Sequence, residues 1–301
     1  MHSHLHHTPV LLRECMSLLS PSGGQTVLDV TLGLGGHAEE FLRRTGPDGQ
    51  FYGVDTDEEN LHFATDRLSL YAGRLHLFRA NFQHLADIGL PTVDIVFADL
   101  GVSSPHFDLP ERGFSFRSDA PLDMRFDRSS GATAAEWIAS CHVSTLTRTL
   151  SKYGELREAA RIARHIADAL PQTTFALRDA VRKAVGFRAD AMLPRVFQAV
   201  RMAVNTEIDA LESLLAVSPG LVKPGGRIGI ISYHSLEDRL VKNVFRKLCT
   251  APVDERTGQD LAPAEWSSLT KKCVVPTPQE IEENPRARSA KFRVIQKNVH
   301  I

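Results

Sequence analysis

Thr26-Val27-Leu28-Asp29-Val30-Thr31-Leu32-Gly33-Leu34-Gly35-Gly36-His37 decides the fold. Its first five residues are a short, β-rich apolar run, Thr31 to His37 are a glycine-rich turn, and an amphipathic helix is predicted from about Ala38. Glycine lets the chain turn tightly and lets a ligand approach the backbone, and the amides at a helix start favour an anionic group. Working outward, Phe51-Tyr52-Gly53-Val54-Asp55, Leu75-His76-Leu77-Phe78 and Val93-Asp94-Ile95-Val96-Phe97-Ala98 are further short apolar runs, bounded by Gly, Asp or Pro and separated by amphipathic stretches. Strands joined by helices imply a parallel sheet covered on both faces, the front half of a doubly wound α/β fold.

From about Ala132 to Arg188 the pattern becomes helical, with Ile162, Ala163, Ile166 and Leu170 at helical spacing and a further helix expected after Thr174. Residues 107–194 are therefore read as an inserted helical domain, between a first part of the α/β domain at 1–106 and a second at 195–301. The α/β rhythm resumes with a helix carrying Val204, Ile208, Leu211 and Leu215, a turn at Pro224-Gly225-Gly226, a strand from Arg227 to Tyr233 and a helix from Leu236 to Leu248. The proline-rich segment from Ala251 to Asn284 reads as a surface loop, and Lys291 to Val299 as a last strand.

The 301 residues are 43% hydrophobic and 24% charged, enough to bury a full core, and the net charge of -1 excludes a protein that binds nucleic acid through its overall charge. Any such contact must be local. Cys15, Cys141, Cys249 and Cys273 lack the paired spacing of a zinc site or redox dithiol and suit a reducing cytoplasm. No apolar run approaches a membrane span, and the first residues lack a signal-peptide layout, so a cytoplasmic protein is expected. The histidines at 2, 4, 6 and 7 read as a terminal segment with adventitious metal affinity, and no metal site is assigned.

Asp55 closes the second strand twenty residues after Gly35, where a carboxylate can accept from ribose hydroxyls. Gly33, Gly35 and Ala38 also satisfy the fingerprint of nicotinamide-binding proteins, which keeps a dehydrogenase as an alternative. The fourth strand ends in Asp99-Leu100-Gly101-Val102-Ser103-Ser104-Pro105, and an acid followed by small polar residues and proline at that place resembles a site that polarises an exocyclic amine. Beyond it, Arg112-Gly113-Phe114-Ser115-Phe116 and Pro121-Leu122-Asp123-Met124-Arg125 put aromatic rings beside arginines, a pattern suited to stacking on unpaired bases or to packing in a core. After the fifth strand comes His234-Ser235-Leu236-Glu237-Asp238, with Ser235 the expected helix cap and Asp238 its partner. From Arg286 to Lys297 the chain carries no acid, which makes Arg286, Arg288 and Lys291 candidates for RNA phosphate contacts.

Taken in order, these motifs closely resemble the bacterial ribosomal RNA small-subunit methyltransferase H family, also called MraW. The likeness extends to His7-Thr8-Pro9-Val10-Leu11-Leu12, Tyr153-Gly154-Glu155, Phe197-Gln198-Ala199-Val200-Arg201 and Asn284 to Ala290. It implies a Rossmann-like class I methyltransferase fold with an inserted substrate-recognition domain. It also implies transfer of a methyl group from S-adenosylmethionine to the N4 amine of a decoding-centre cytidine in 16S rRNA of the assembled small subunit. Carried over by position, cofactor contacts fall on Gly35, Gly36, His37, Asp55, Phe82, Asp99 and His106, where the family usually has glutamine. Tyr233 likewise replaces the usual phenylalanine, and Leu156 an acid. Asp99 with Ser103 and Ser104 is the expected catalytic mouth, with Asp123 and His234 as further candidates; Arg112, Phe114, Phe116, Arg125, Arg286, Arg288 and Lys291 are the expected RNA contacts. A non-catalytic RNA-binding assembly factor is the second alternative, and the choice between monomer and homodimer stays open.

Overall fold

The computed structural model describes residues 9–102, 104–254, 256–257, 259 and 261–299. The chain forms two compact units, one of residues 1–101 with 209–301 and one of residues 102–208. In the first lie α1 (Leu12–Leu19), β1 (Thr26–Asp29), α2 (Gly36–Thr45), β2 (Gln50–Asp55), α3 (Glu58–Arg67), β3 (Leu75–Arg79) and β4 (Val93–Asp99). The second holds α4 (Ser104–Asp108), α5 (Ala134–Ser140), α6 (Val143–Lys152), α7 (Ala159–Ala169), α8 (Thr174–Val185) and α9 (Ala189–Val204). The chain returns through α10 (Glu207–Leu221) to β5 (Val222–Ser232), α11 (Ser235–Leu248), β6 (Trp266–Ser268), α12 (Pro278–Glu283) and β7 (Lys291–Lys297).

The seven strands are ordered β3-β2-β1-β4-β5-β7-β6. All pairs from β3 to β5 are parallel, while β7 runs antiparallel between β5 and β6. This is a Rossmann-like α/β sheet, as the glycine turn and its flanking strands foretold. Successive strand residues point to opposite faces. Val27, Ile95, Phe97 and Ile231 therefore pack with Met16 and Leu19 of α1 and Phe41 and Leu42 of α2, whereas Leu28, Val96, Ala98, Ile228 and Ile230 pack with Leu211 and Leu215 of α10 and Val241 and Phe245 of α11. Burial on both faces explains why β4 reads as an almost unbroken apolar run.

Four local expectations are corrected. Val204 and Ile208 do not share a helix, because Thr206 adopts a left-handed φ of 49° and separates α9 from α10. Pro224-Gly225-Gly226 lies within β5 as an irregularity: the register against β4 passes from Val93↔Val222 to Ile95↔Arg227, so the extra residues bulge out between two paired segments. The segment from Ala251 to Asn284 is not simply a surface loop, since it contributes β6 and α12 and buries Trp266 to 1% exposure. Leu170 sits past the end of α7 in a left-handed cap and is exposed.

In the second unit α6 packs on α7, α7 on α8, α8 on α9 and α9 on α6, a closed four-helix arrangement in which α7 stands opposite α9. Leu146, Leu150, Ile162, Ile166, Leu177, Val181, Val196 and Val200 fill its core. The unit begins and ends outside the 107–194 interval expected from helical patterning. The strap from Arg112 to Gly131 is tied to it by backbone pairing of Pro121 with Thr173 and by Asn205, whose side chain donates to Met124 O at 2.7 Å and accepts from Phe126 N–H at 2.8 Å. Gly113 has a φ of 75° on this strap, and a Cβ there would lie 2.5 Å from Pro121 O and 2.7 Å from Asp123 N. Both obstacles are backbone, so Gly113→Ala must distort the strap. We expect a loss of at least about 2 kcal/mol in stability, seen as a lower urea midpoint; an unchanged midpoint would show that the strap yields freely.

Candidate functional site

The carboxyl ends of the parallel strands bring together four side chains and one turn. Asp29 closes β1 at 1% exposure, and its Oδ1 accepts from Thr31 N–H at 3.0 Å and from the Thr31 hydroxyl at 3.3 Å. Thr31 Oγ1 in turn accepts from the backbone N–H of Asp99, at the end of β4, at 2.6 Å. Asp99 Oδ1 accepts from the Tyr233 hydroxyl, just past β5, at 2.8 Å. The result is a polar chain across three neighbouring strands, Asp29 to Thr31 to Asp99 to Tyr233. Its presence at strand ends follows from the sheet, because only there can a polar side chain leave the apolar layers.

The glycine turn is held from β2. Asp55 Oδ2 accepts from Gly33 N–H at 2.8 Å, and Oδ1 from Asp57 N–H at 2.8 Å. Gly33 and Gly35 take φ values of 52° and 76°, and Gly35, the N-cap of α2, supplies no side-chain cap to the helix start. Gly36 packs so closely that a Cβ would lie 2.7 Å from the Pro9 ring. His37 is buried: Nε2 donates to Val10 O at 2.9 Å, the ring packs on Phe97, and Nδ1 lies 3.9 Å from Asp99 Oδ2. Phe82 follows the Asn81 cap of a short 3-10 turn after β3 and is partly buried against the core on the α10 side of the sheet.

Burial sets the electrostatics of this rim. Loss of water pushes the Asp29 carboxyl up to about 7, with the nearby Asp99 adding to the effect and the Thr31 hydrogen bonds opposing it. Asp99 is also pushed up to about 7 by burial, against the pull of the Tyr233 hydroxyl and with a smaller push from Glu237. The same burial raises the Tyr233 phenol and the thiol of Cys15 on α1 well above their usual values. Two neighbouring carboxyls that titrate near neutrality, with no Lys or Arg paired to either among the described residues, make an acceptor set suited to a ligand that brings positive charge.

The other expected residues sort differently. His234, not Ser235, is the N-cap of α11, its Nδ1 accepting from Glu237 N–H at 3.4 Å, and Glu237 reaches back to accept from Tyr233 N–H at 3.0 Å. His234 Nε2 lies 3.0 Å from Glu237 Oε1. Asp238, expected as the capping partner, instead pairs with Arg293 at 2.7 Å and Lys291 at 3.6 Å, so Lys291 is engaged in an ion pair. Arg286 and Arg288 are exposed. Ser103 lies outside the described residues, and Ser104 opens the short α4.

Within the second unit, Asp123 forms a two-pronged pair with Arg125, at 2.7 and 3.0 Å. Burial disfavours its charge, but the Arg125 fork outweighs burial and holds the carboxyl below its usual value. Arg125 also donates to Gly131 O at 3.1 Å. Arg112 is 1% exposed and donates to the carbonyls of Arg125 and Phe126 at 3.2 and 3.1 Å. Phe114 stacks on Phe126 at 5.8 Å with the buried His106 beside both rings, and Phe116 meets Phe197 edge-on. Of the two readings open for Phe114 and Phe116, the structure places both rings against the core of this unit.

Asp29 and Thr31 were not singled out from the sequence. The signal was there: an acid inside an otherwise apolar strand, one turn ahead of the glycines, is affordable only where it has partners.

The profile of the MraW methylase family matches residues 4–298 of the chain. The chain is 43% identical to the protein named ribosomal RNA small subunit methyltransferase H of Symbiobacterium thermophilum, over 97% of this chain and 96% of that one. It is 45% identical to the protein of the same name from Myxococcus xanthus, with 98% of each covered.

The titration of Asp99 has a measurable consequence. Its folded value is about 7 against an ordinary 3.8, so between these limits the folded chain holds a proton that the unfolded chain releases. Its contribution to stability is therefore complete below about pH 4 and is lost as pH rises to about 7. Asp99→Asn cannot ionise. The stability difference between wild type and this variant, from urea unfolding, should shift against wild type from pH 4 to pH 7, by at most about 1.4 kcal/mol per pH unit, and then level off. A difference independent of pH would show that Asp99 does not titrate in this window.

Proposed function

The chain belongs to the MraW methylase family, and from that premise we propose that it transfers a methyl group from S-adenosylmethionine to small-subunit ribosomal RNA, at the N4 amine of a decoding-centre cytidine. The observation that carries this reading is the half-buried Asp99 carboxyl, poised near neutrality at the carboxyl rim of a parallel sheet beside a glycine turn and an uncapped helix start. The acid-lined rim fits a donor bearing ammonium and sulfonium charges. In this reading the turn at Gly33 to Gly36 and the start of α2 take the methionine carboxylate, Asp55 accepts from the ribose hydroxyls, Phe82 lies along the adenine and His37 backs the site. When bound, S-adenosylmethionine supplies an electrophilic methyl group on sulfur.

The cytosine amine is a weak nucleophile because its lone pair is delocalised into the ring. An acceptor that takes one of its N–H groups draws the nitrogen toward tetrahedral geometry and frees the lone pair. Asp99 is given this role. Thr31 fixes its backbone, Tyr233 fixes Oδ1, and Oδ2, which His37 Nδ1 approaches at 3.9 Å, is assigned to the amine. Once the methyl is transferred the nitrogen must lose a proton, and a carboxylate whose value lies near the working pH is suited to receive it. Most of the acceleration comes from this positioning and from the preorganised polar rim. Asp123, held ionised by Arg125, is assigned to bracing the strap, and His234 to capping α11. The base must be unstacked to reach the rim, and we assign recognition of the RNA to the helical unit. The cytoplasm, where ribosomal subunits are built, is the expected compartment; among the described residues no helix is long and apolar enough to cross a membrane.

Two outcomes are expected. Incubation of small subunits lacking the modification with the protein and S-adenosylmethionine should yield one N4-methylcytidine by nucleoside mass spectrometry, and Asp99→Asn should lower the turnover by at least about a hundredfold; near wild-type turnover would remove Asp99 from the mechanism. Binding of the sulfonium donor at pH 7 should also ionise the rim carboxyls and release protons, detected by calorimetry in buffers of different ionisation enthalpy. S-adenosylhomocysteine, which lacks the sulfonium charge, should release fewer, and equal release would argue against a cation beside Asp99.

A further inference from the structure

Charge is divided unevenly along this nearly neutral chain. Residues 102–208 carry fifteen Arg and Lys against twelve Asp and Glu, and the excess lies entirely in residues 143–188, with nine against four. These residues build α6, α7 and α8. Arg148 and Lys152 are exposed on α6, Arg161 and Arg164 on α7, Arg157 in the turn leading into α7, and Lys183 on α8. Among the described residues none of these six has an acidic partner within ion-pair distance. The acids of the region are Asp179, paired with Arg178 at 3.1 Å, Glu158, paired with Arg188 at 2.7 Å, and the exposed Glu155 and Asp168.

An unpaired cation row of this kind gains little from the fold itself. Arg161 and Arg164 are neighbours on one helix surface, where like charges repel. They lie on α7, which packs against α6 and α8, and both point into solvent. The pair Arg188 to Glu158 anchors the turn between α8 and α9 next to the start of α7. At that turn Phe187, next in sequence to Arg188, is 96% exposed, an aromatic ring offered to solvent.

We propose that the outer face of α6, α7 and α8 is a docking surface for RNA, in which Arg157, Arg161 and Arg164 hold backbone phosphates and Phe187 stacks on an unpaired base. Guanidinium groups match phosphate in shape and charge, and an exposed ring supplies a stacking platform that no phosphate contact can. The surface deepens the function proposed above and rests on its RNA substrate, but it concerns binding alone and stands apart from methyl transfer.

The test measures binding of a small-subunit RNA fragment by fluorescence anisotropy across a series of salt concentrations. Each lost phosphate contact lowers the slope of log affinity against log salt by about 0.7 to 0.9. The triple variant Arg157→Gln, Arg161→Gln, Arg164→Gln should therefore lose about two from the slope and at least tenfold in affinity at moderate salt, with its melting temperature and its affinity for S-adenosylhomocysteine unchanged. Phe187→Ala should weaken binding several-fold and leave the slope as it was. A control triple at Arg43, Arg44 and Arg67 removes the same charge from the first unit, where these residues are paired with Glu40 and Glu39, and should keep the wild-type slope. The proposal is overturned if the slope and affinity of the α7 triple match wild type, or if the control triple loses as much. Wild-type protein that binds RNA through this row yet methylates nothing would leave the surface standing and remove the methyltransferase reading instead.

Discussion

The constraint on which the rest depends is the withdrawal of two carboxyl groups, one wholly and one in part, from water at the end of a parallel sheet. Asp29 and Asp99 lie on adjacent strands whose flanks are closed by apolar side chains on both faces, so Asp29 is buried and Asp99 is left with only part of its side chain in water. Each is kept by hydrogen bonds from its neighbours, and Thr31 is the hinge between them, giving its hydroxyl proton to one acid and taking the backbone N–H of the other. The same threonine begins the glycine turn. The shape of the turn and the protonation of the acids are thus one problem with one solution, and Asp55 completes it by clamping Gly33 from the next strand.

Tyr233 shows how a single oxygen atom alters this balance. The resemblance drawn from sequence puts phenylalanine at its position, yet here the ring is half-buried against the core and its hydroxyl donates to Asp99. It opposes the effect of burial by favouring the charged carboxylate, and it spends one of the two oxygens in doing so. The backbone at this point is steadied by Glu237, which accepts from Tyr233 N–H while its own N–H caps onto His234. A helix start and a reactive rim are therefore built from the same four residues.

Much of this was legible in the sequence, and for identifiable reasons. The strands that flank the glycine turn are buried on both faces and bounded by turn residues, so their periodicity is not disturbed by solvent. Asp55 and Asp99 were legible because strand ends are marked by the loss of apolar residues. What was not legible depended on partners distant in sequence. Arg112, Phe114 and Arg125 look like an RNA-binding patch when read along the chain, but the strap folds inward and spends them on carbonyls, rings and Asp123. Lys291 belongs to an acid-free run, yet β7 sets it opposite Asp238. The cations of α7 alternate with alanine in an ordinary amphipathic helix, and only the folded unit shows that, among the described residues, no acid pairs with them.

Cys15 extends the logic of the rim to a different chemistry. It sits fully buried on α1, and loss of water together with the charge of Asp99 keeps its sulfur protonated. Thiolates, not thiols, attack oxidants and alkylating reagents, so this cysteine is passivated for as long as the sheet edge stays closed. Its rate of alkylation is then a clock for breathing of the fold at that edge, readable without any RNA or methyl donor present.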